Sequence, residues 1–216
     1  MSDRLMTRPD PELISALFTR FEHDKPDPKT ELLFTNAFTL VTAVALSAQT
    51  TDVAVNKATR PLFALADTPY AMLALGAETI EAMISTIGLY RNKTKNVMRM
   101  CEILIETYGG EVPLRREDLQ SLPGVGRKTA SVVLNELGIE PAIAVDTHVF
   151  RVSHRLGLVT AKTPDGVEDQ LMAVIPQKWL TRAHHWLILH GRYHCTAKKP
   201  KCADCIVRDL CPKLGL

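Results

Sequence analysis

The fold of this chain is most clearly indicated at residues 122–129, which read Leu122-Pro123-Gly124-Val125-Gly126-Arg127-Lys128-Thr129. Helical apolar patterns precede and follow this segment, so it predicts a tight turn between two helices. Pro123 ends the first helix, and we expect Gly124 and Gly126 to allow the positive φ of such a turn. Glycines also let backbone N–H groups approach a phosphate at the start of the second helix. Because Arg127 and Lys128 follow directly, we favour a phosphate-binding hairpin over a plain helical corner.

Two side chains near this hairpin are candidates for chemistry. Lys128 opens the second helix, where the helix dipole and the neighbouring Arg127 both disfavour its ammonium form. A neutral lysine amine can attack an electrophilic carbon and form a Schiff base, although pairing with a phosphate fits the sequence equally well. Asp146 precedes a later helical run, where it is expected as an N-cap and is also suited to face a cation.

The rest of the chain also has the pattern of helices. Apolar residues recur at three- and four-residue spacing, as at Val97, Cys101 and Ile105, and no stretch alternates with a period of two. With 216 residues, 46% hydrophobic and 23% charged, the chain is an ordinary globular protein of one domain or two. The longest uncharged window, residues 32–51, contains eight polar residues and is expected as a buried helix, not a membrane span.

Basic residues are concentrated in two zones. Residues 178–216 contain eight Lys and Arg against two acids, and residues 91–130 contain eight against five. The remaining sequence is acidic overall. Such zones indicate a face for a polyanion, although chance clustering on a solvated surface is equally consistent with them.

Four cysteines near residue 200 indicate a metal centre. They are spaced C-x6-C-x2-C-x5-C at Cys195, Cys202, Cys205 and Cys211. No apolar signal segment follows Met1, so we expect a cytoplasmic protein with free thiols and no disulfides. Zinc and an iron–sulfur cubane both accept four thiolates, and the four histidines between 184 and 194 leave a mixed Cys/His site open. The fifth cysteine, Cys101, is expected in the core.

In order and spacing, the hairpin, the Asp146 segment and the four cysteines resemble the endonuclease III family. The resemblance covers nearly the whole chain and includes the segments at 46–52 (LSAQTTD), 87–90 (IGLY) and 187–193 (LILHGRY). This family comprises iron–sulfur helix–hairpin–helix DNA glycosylases that are also abasic-site (AP) lyases and act in base excision repair. The resemblance implies an all-α, two-lobed fold with the DNA-binding cleft between the lobes. It further implies that residues 30–140 form a six-helix barrel and that residues 1–29 and 141–216 form a discontinuous iron–sulfur cluster domain.

The resemblance also implies the chemistry. Lys128 matches the nucleophile that attacks C1′ of the damaged nucleotide, and Asp146 matches the carboxylate that assists it across the cleft. The resulting Schiff base permits β-elimination, which cuts the strand 3′ to the abasic site. The expected substrates are oxidised pyrimidines in duplex DNA, and the four cysteines are expected to hold a [4Fe-4S] cluster.

Several further positions are implied to contact damaged double-stranded DNA. Gln49 matches the residue that fills the gap left by the extruded nucleotide, and Leu89 matches the apolar wedge on the opposite strand. The implied contacts to the DNA backbone are Leu122, Gly124, Val125, Gly126 and Arg127 of the hairpin, with Lys198, Lys199 and Lys201 between the first two cysteines. The implied candidates for the base pocket are Ser47, Asp52 and His148. Gln120 departs from the family, since some members carry an acid there.

Three other readings compete with this one. A monofunctional adenine glycosylase shares the cysteine spacing but lacks a lysine at the position of Lys128. A non-catalytic DNA-binding module with a structural metal would make the pairing of Lys128 with Asp146 accidental. An electron carrier is disfavoured by the cysteine spacing and the basic surroundings. We expect a monomer, because no spare apolar stripe suggests self-association.

Overall fold

The computed structural model describes residues 9–216. The start of the chain at Met1, and with it residues 1–8 of the expected cluster domain, lies outside the described residues. Within residues 9–216 the chain forms eleven α-helices, one short 3₁₀ helix and no β-strand, which confirms the predicted all-α class. The helices are α1 (Pro11–Asp24), α2 (Ala37–Leu46), α3 (Asp52–Leu65), α4 (Pro69–Leu75), α5 (Ala77–Ile84), α6 (Tyr90–Tyr108), α7 (Arg116–Ser121), α8 (Arg127–Glu136), α9 (Thr147–Arg155), α10 (Pro164–Val174) and α11 (Gln177–Tyr193), with the 3₁₀ helix at Cys202–Asp204.

The chain divides into two compact units, each with its own hydrophobic core. The first, here called the hairpin unit, is residues 30–140 and contains α2 to α8. The second, here called the cysteine unit, contains α1 and α9 to α11 in the described residues 9–29 and in 141–216. The hairpin unit thus has seven helices where the resemblance implies a six-helix barrel. Two of them, α4 and α5, are separated only at Gly76, whose φ of 75° ends one helix and starts the next.

The core of the hairpin unit is built around α2, which lies in the uncharged window of the sequence. Asn36 caps this helix by accepting from the Thr39 N–H at 2.9 Å, while the Thr39 hydroxyl accepts from the Asn36 N–H at 3.0 Å. Eight of the ten residues of α2 are buried, as expected for a helix without charges. α2 packs against α8, and α6 packs against α4 and α5.

The cysteine unit is organised by the packing of α9 on α11. Gly191 permits this contact, because a Cβ added there would lie 2.8 Å from the Cβ of His148. α1, which is remote in sequence, packs on α11. There Phe18 stacks on Trp179 at 5.9 Å, and the Trp186 indole donates to the Lys25 carbonyl at 2.8 Å. The aromatic rings therefore bury their faces and satisfy their polar groups together.

None of the helices in residues 9–216 combines the length and the apolar character that crossing a membrane requires.

Candidate functional site

The predicted hairpin connects α7 to α8. The Val125 N–H donates to the Leu122 carbonyl at 3.1 Å and closes the turn, while Gly124 takes φ 81°. The side chains of Leu122 and Val125 are buried, at 2% and 4% exposure. These buried side chains anchor the turn to the hydrophobic core. At Leu122 and Val125, therefore, only backbone atoms are available to a ligand.

Gly126 differs from the expectation that both glycines adopt positive φ. Its φ is −88°, which any residue can adopt, because the turn is completed one residue earlier at Gly124. A Cβ added at Gly126 would meet no heavy atom within 4 Å in the described chain. Among the described side chains, none caps the start of α8. The first backbone N–H groups of α8 therefore have no side-chain cap and are not shielded by a side chain at Gly126. Such uncapped, accessible N–H groups are suited to bind an anion.

Arg127 and Lys128 are the first two residues of α8, and both are exposed. Their charges add to the positive end of the helix dipole. The Lys128 amine is therefore accessible from solvent, directly beside the backbone N–H groups suited to a phosphate.

Asp146 is the N-cap of α9, as predicted. Its Oδ1 accepts hydrogen bonds from the backbone N–H groups of His148 at 2.8 Å and Val149 at 2.7 Å. Charge-assisted bonds of this length hold the carboxylate in one orientation. Both use the same oxygen, so the cap does not engage Oδ2.

Gln49 and Leu89 share an unusual backbone conformation. Among residues 9–216 only three residues other than glycine have positive φ, and these two are among them, at 56° and 60°. Both are exposed, Leu89 to 63%. A left-handed backbone costs an L-residue roughly 1–2 kcal/mol, and such strain is concentrated at functional sites. Leu89 is therefore not the core residue that its apolar side chain alone would suggest.

The three pocket candidates are divided between the units. Ser47 and Asp52 flank the Gln49 turn in the hairpin unit, where the Ser47 hydroxyl donates to the Val44 carbonyl at 2.8 Å. Asp52 is half-buried at the start of α3. His148 belongs to the cysteine unit, and its Nδ1 lies 3.2 Å from the Arg151 guanidinium. Gln120, the departure from the family, is exposed on α7.

The four clustered cysteines line a single cavity in the cysteine unit, and all four are free thiols. Burial raises the pKa of the Cys205 and Cys211 thiols, so a bound cation is needed to stabilise them as thiolates. Four thiolates around one cavity fit an iron–sulfur cluster. Cys101 is a buried core residue of the hairpin unit, as expected, and burial raises the pKa of its thiol to about 12.

Two of the four nearby histidines line the same cavity. His190 Nε2 lies 3.7 Å from Cys205 Sγ, and burial, followed by the nearby His194, lowers the pKa of His190 to about 4. His184 and His185 are buried on α11. Although the four thiols line one cavity, no three or more His, Cys, Asp or Glu side chains of the described residues are placed to hold a single metal ion.

An arginine that the sequence analysis missed holds the loop between the first two cysteines. The Arg155 guanidinium, on α9, donates to the carbonyls of Thr196 at 2.8 Å and Ala197 at 3.0 Å and to Cys195 Sγ at 3.4 Å. Arg151 donates to the Cys195 carbonyl at 3.1 Å. Nothing in the local sequence marks either arginine, because the loop carbonyls that they bind lie 41 to 44 residues away. The loop leaves three lysines exposed: Lys198, Lys199 and Lys201.

The segment between the last two cysteines, Cys205 and Cys211, is held by a residue of α1. Arg20 on α1 pairs with both carboxylate oxygens of Asp209 and donates to the Ile206 carbonyl at 2.9 Å. The Arg20 hydrogen bond lowers the pKa of Asp209 to about 2. This fastening explains why α1 belongs to the cysteine unit.

Comparison with known proteins agrees with this arrangement. The family model for the HhH-GPD superfamily base excision DNA repair protein matches residues 42–177, and the model for the iron–sulfur binding domain of endonuclease III matches residues 195–211. Endonuclease III of Rickettsia conorii is 52% identical over 200 residues, covering 93% of this chain and 95% of its own. Endonuclease III of Escherichia coli K12 is 52% identical over 195 residues, covering 90% and 92%. A solved structure of a trapped endonuclease III–DNA covalent intermediate superposes with a TM-score of 0.87 at 45% identity, covering 94% of this chain and 96% of that one.

Its fold and its hairpin thus place the chain in the HhH-GPD class of base excision DNA repair proteins. Within that class it belongs to the endonuclease III family, whose members are DNA glycosylases with AP lyase activity. Its cofactor is accordingly a [4Fe-4S] cluster, which removes the zinc and mixed Cys/His alternatives.

Proposed function

We propose that this enzyme removes oxidised pyrimidines from duplex DNA and cleaves the strand on the 3′ side, with Lys128 as nucleophile and Asp146 as the assisting carboxylate. The observation that carries the proposal is the start of α8. An exposed lysine follows a side-chain-free turn there, at a helix end whose N–H groups are suited to a phosphate. A backbone phosphate bound at this helix end would bring a deoxyribose within reach of the amine.

The reaction follows from the two side chains. The Lys128 amine attacks C1′, and the N-glycosidic electron pair leaves with the base, which takes up a proton. Asp146 accepts the proton of the attacking amine or stabilises the positive charge that develops on the sugar. Ring opening gives an imine between Lys128 and C1′. Loss of a proton from C2′ then expels the 3′ phosphate, which breaks the C3′–O bond.

The family relationship supports the covalent step. The trapped intermediate named above is a covalent complex of an endonuclease III with DNA, and this chain aligns with it over nearly its whole length. A monofunctional or non-catalytic protein would need no such nucleophile. We therefore assign damaged duplex DNA as the partner and Lys128 as the attacking residue.

We assign lesion recognition to Gln49 and Leu89, the two exposed residues with a left-handed backbone conformation. Extruding a nucleotide costs a few kcal/mol, and an apolar side chain inserted into the stack offsets part of this cost. We assign Leu89 as that wedge and Gln49 as the residue that fills the gap. Ser47, Asp52 and His148 are assigned to the base pocket.

The cluster and its lysines are assigned to the DNA backbone. Bound to the four cysteines, the [4Fe-4S] cluster would supply coordinate bonds that close the three chain segments between them. Lys198, Lys199 and Lys201 are then presented to phosphates, contacts that position the enzyme without reading sequence.

We further propose that the enzyme acts as a monomer on DNA in the bacterial cytoplasm. The sequence pattern offers no spare apolar stripe for self-association, and the relatives compared are bacterial endonucleases III.

Product analysis tests the proposal. On a duplex with one thymine glycol, we expect free thymine glycol and a cut strand that ends in a 3′ unsaturated aldehyde. An otherwise identical undamaged duplex should stay intact. Base release that leaves an uncut abasic strand would contradict the lyase assignment, and no base release would contradict the proposal as a whole.

A further inference from the structure

Lys93 is a buried lysine that the proposed reaction does not use. It lies on α6 and is buried, with an exposed fraction of only 8%. Its Nζ donates to the Leu46 carbonyl at 2.9 Å, the Ala48 carbonyl at 2.8 Å and the Thr50 hydroxyl at 3.0 Å. An ammonium group has three donors, so each is engaged.

The three acceptors surround Gln49. Leu46 is the last residue of α2, and Ala48 and Thr50 stand on either side of Gln49. Carbonyls at a helix C-terminus have no partner within the helix and favour a cation. Lys93 therefore holds the backbone before Gln49 and the Thr50 side chain after it, on either side of the residue whose left-handed conformation is strained.

The same lysine is bonded to the Leu89 turn. Its backbone N–H donates to the Leu89 carbonyl at 3.0 Å, in the first turn of α6. Lys93 thus binds the Leu89 turn with its backbone and the Gln49 turn with its side chain, although the two turns are 40 residues apart in the sequence.

Stability alone does not account for a lysine at this position. Burying a charged group is costly unless it is fully hydrogen-bonded, and burial lowers the pKa of Lys93. An apolar side chain of the same length would fill the space without this cost. What an apolar residue cannot do is hold the three acceptors around Gln49.

We propose that Lys93 is a positioning residue that fixes the Gln49 turn relative to the Leu89 turn, so that both side chains enter the duplex together. The inference rests on the proposed function, because it takes Gln49 as the gap filler and Leu89 as the wedge. If the Gln49 turn is already ordered in the free protein, the free-energy cost of ordering it is not added to the cost of extruding the nucleotide. Losing Lys93 therefore slows the enzyme most where a base pair must be opened.

The test compares two duplexes that differ only opposite the lesion. In one, thymine glycol faces adenine; in the other it faces tetrahydrofuran, an inert abasic analogue, so no pair has to be broken. Single-turnover base release is measured for the parent, Lys93→Met and the exposed-lysine control Lys57→Met. We expect the paired-to-unpaired rate ratio of Lys93→Met to fall about ten-fold, the scale of losing bonds to a charged group, while Lys57→Met keeps the parental ratio.

Thr50→Val removes one acceptor and leaves the two carbonyls, so it should lower the same ratio by a smaller factor. It also keeps the inference testable if Lys93→Met does not fold. Equal losses on both duplexes, or an unchanged ratio in both variants, would overturn the positioning role. A parent that releases base from neither duplex would instead overturn the proposed function itself.

Discussion

Arg155 Nη1 lies 3.4 Å from Cys195 Sγ, and the arginine is 8% exposed. The helix that ends with this arginine is α9, whose first turn is capped by Asp146. One short helix therefore carries the proposed catalytic carboxylate at one end and fastens the first cysteine of the cluster at the other. We therefore expect a displacement of the loop between Cys195 and Cys202 to be transmitted along α9 and to alter the position of the Asp146 carboxylate.

Arg155→Met should weaken the cluster and the fold together. The change removes the donor to the carbonyls of Thr196 and Ala197, which belong to a half-buried and an exposed residue. Since water can reach these carbonyls, we expect a loss near the lower end of the roughly 1.5–3 kcal/mol of a hydrogen bond to a charged group. For a chain of this size that is a fall in Tm of about 2–4 °C per kcal/mol. Iron content and thermal melts of the purified protein measure both effects. The exposed-residue control Arg60→Met should match the parent, and full iron content with a parental Tm in Arg155→Met would contradict the role of Arg155.

Asp146 can be tested separately as a cap and as a catalyst. Asp146→Asn keeps an oxygen that accepts from the His148 and Val149 N–H groups, so its Tm should stay near that of the parent. Asp146→Ala loses the cap, at about 0.5–2 kcal/mol. Both variants should release base far more slowly than the parent at similar DNA affinity. A normal rate for Asp146→Asn would reduce Asp146 to a helix cap.

The two hairpin glycines should respond differently to alanine. Gly124→Ala forces a side chain into φ 81° and should destabilise the free protein by roughly 1–2 kcal/mol. Gly126→Ala has an ordinary φ and open space around its Cβ, so the melting temperature should not change. Its methyl group would still stand between α8 and a phosphate, and DNA affinity should fall. Unchanged affinity would show that the backbone does not approach DNA at Gly126.

Replacing the three loop lysines, Lys198, Lys199 and Lys201, with Ala should flatten the salt dependence of DNA binding. Each lost phosphate contact removes nearly one unit from the slope of log K against log salt. The slope is obtained from titrations of one duplex at several salt concentrations. Lys57→Ala removes one positive charge outside the loop and should leave the slope as it is. A parental slope in the triple variant would place the loop away from DNA.

Features set by local sequence could be predicted well. The turn at residues 122–126, the buried helix in the uncharged window and the Asp146 cap each depend on neighbouring residues. The cysteine spacing likewise predicted one shared site. The prediction that Gly126 adopts a positive φ was wrong. Two glycines one residue apart do not reveal from the sequence which of them makes the turn.

Lys93 and Arg155 could not be found from the sequence. Basic residues are mostly exposed, so their burial is unexpected from residue type. The carbonyls that pair with them are 47 and 41 residues away, for Leu46 and Thr196. Only the packed helices bring such groups together.

Borohydride trapping on a duplex with one abasic site tests the assignment of Lys128 most directly, because it reduces an imine to a stable covalent bond. The parent and the control Lys57→Ala should both form a protein–DNA adduct, and Lys128→Ala should form none while it still binds the duplex. An adduct that persists in Lys128→Ala, or a parent that binds the duplex without forming any adduct, would contradict the account.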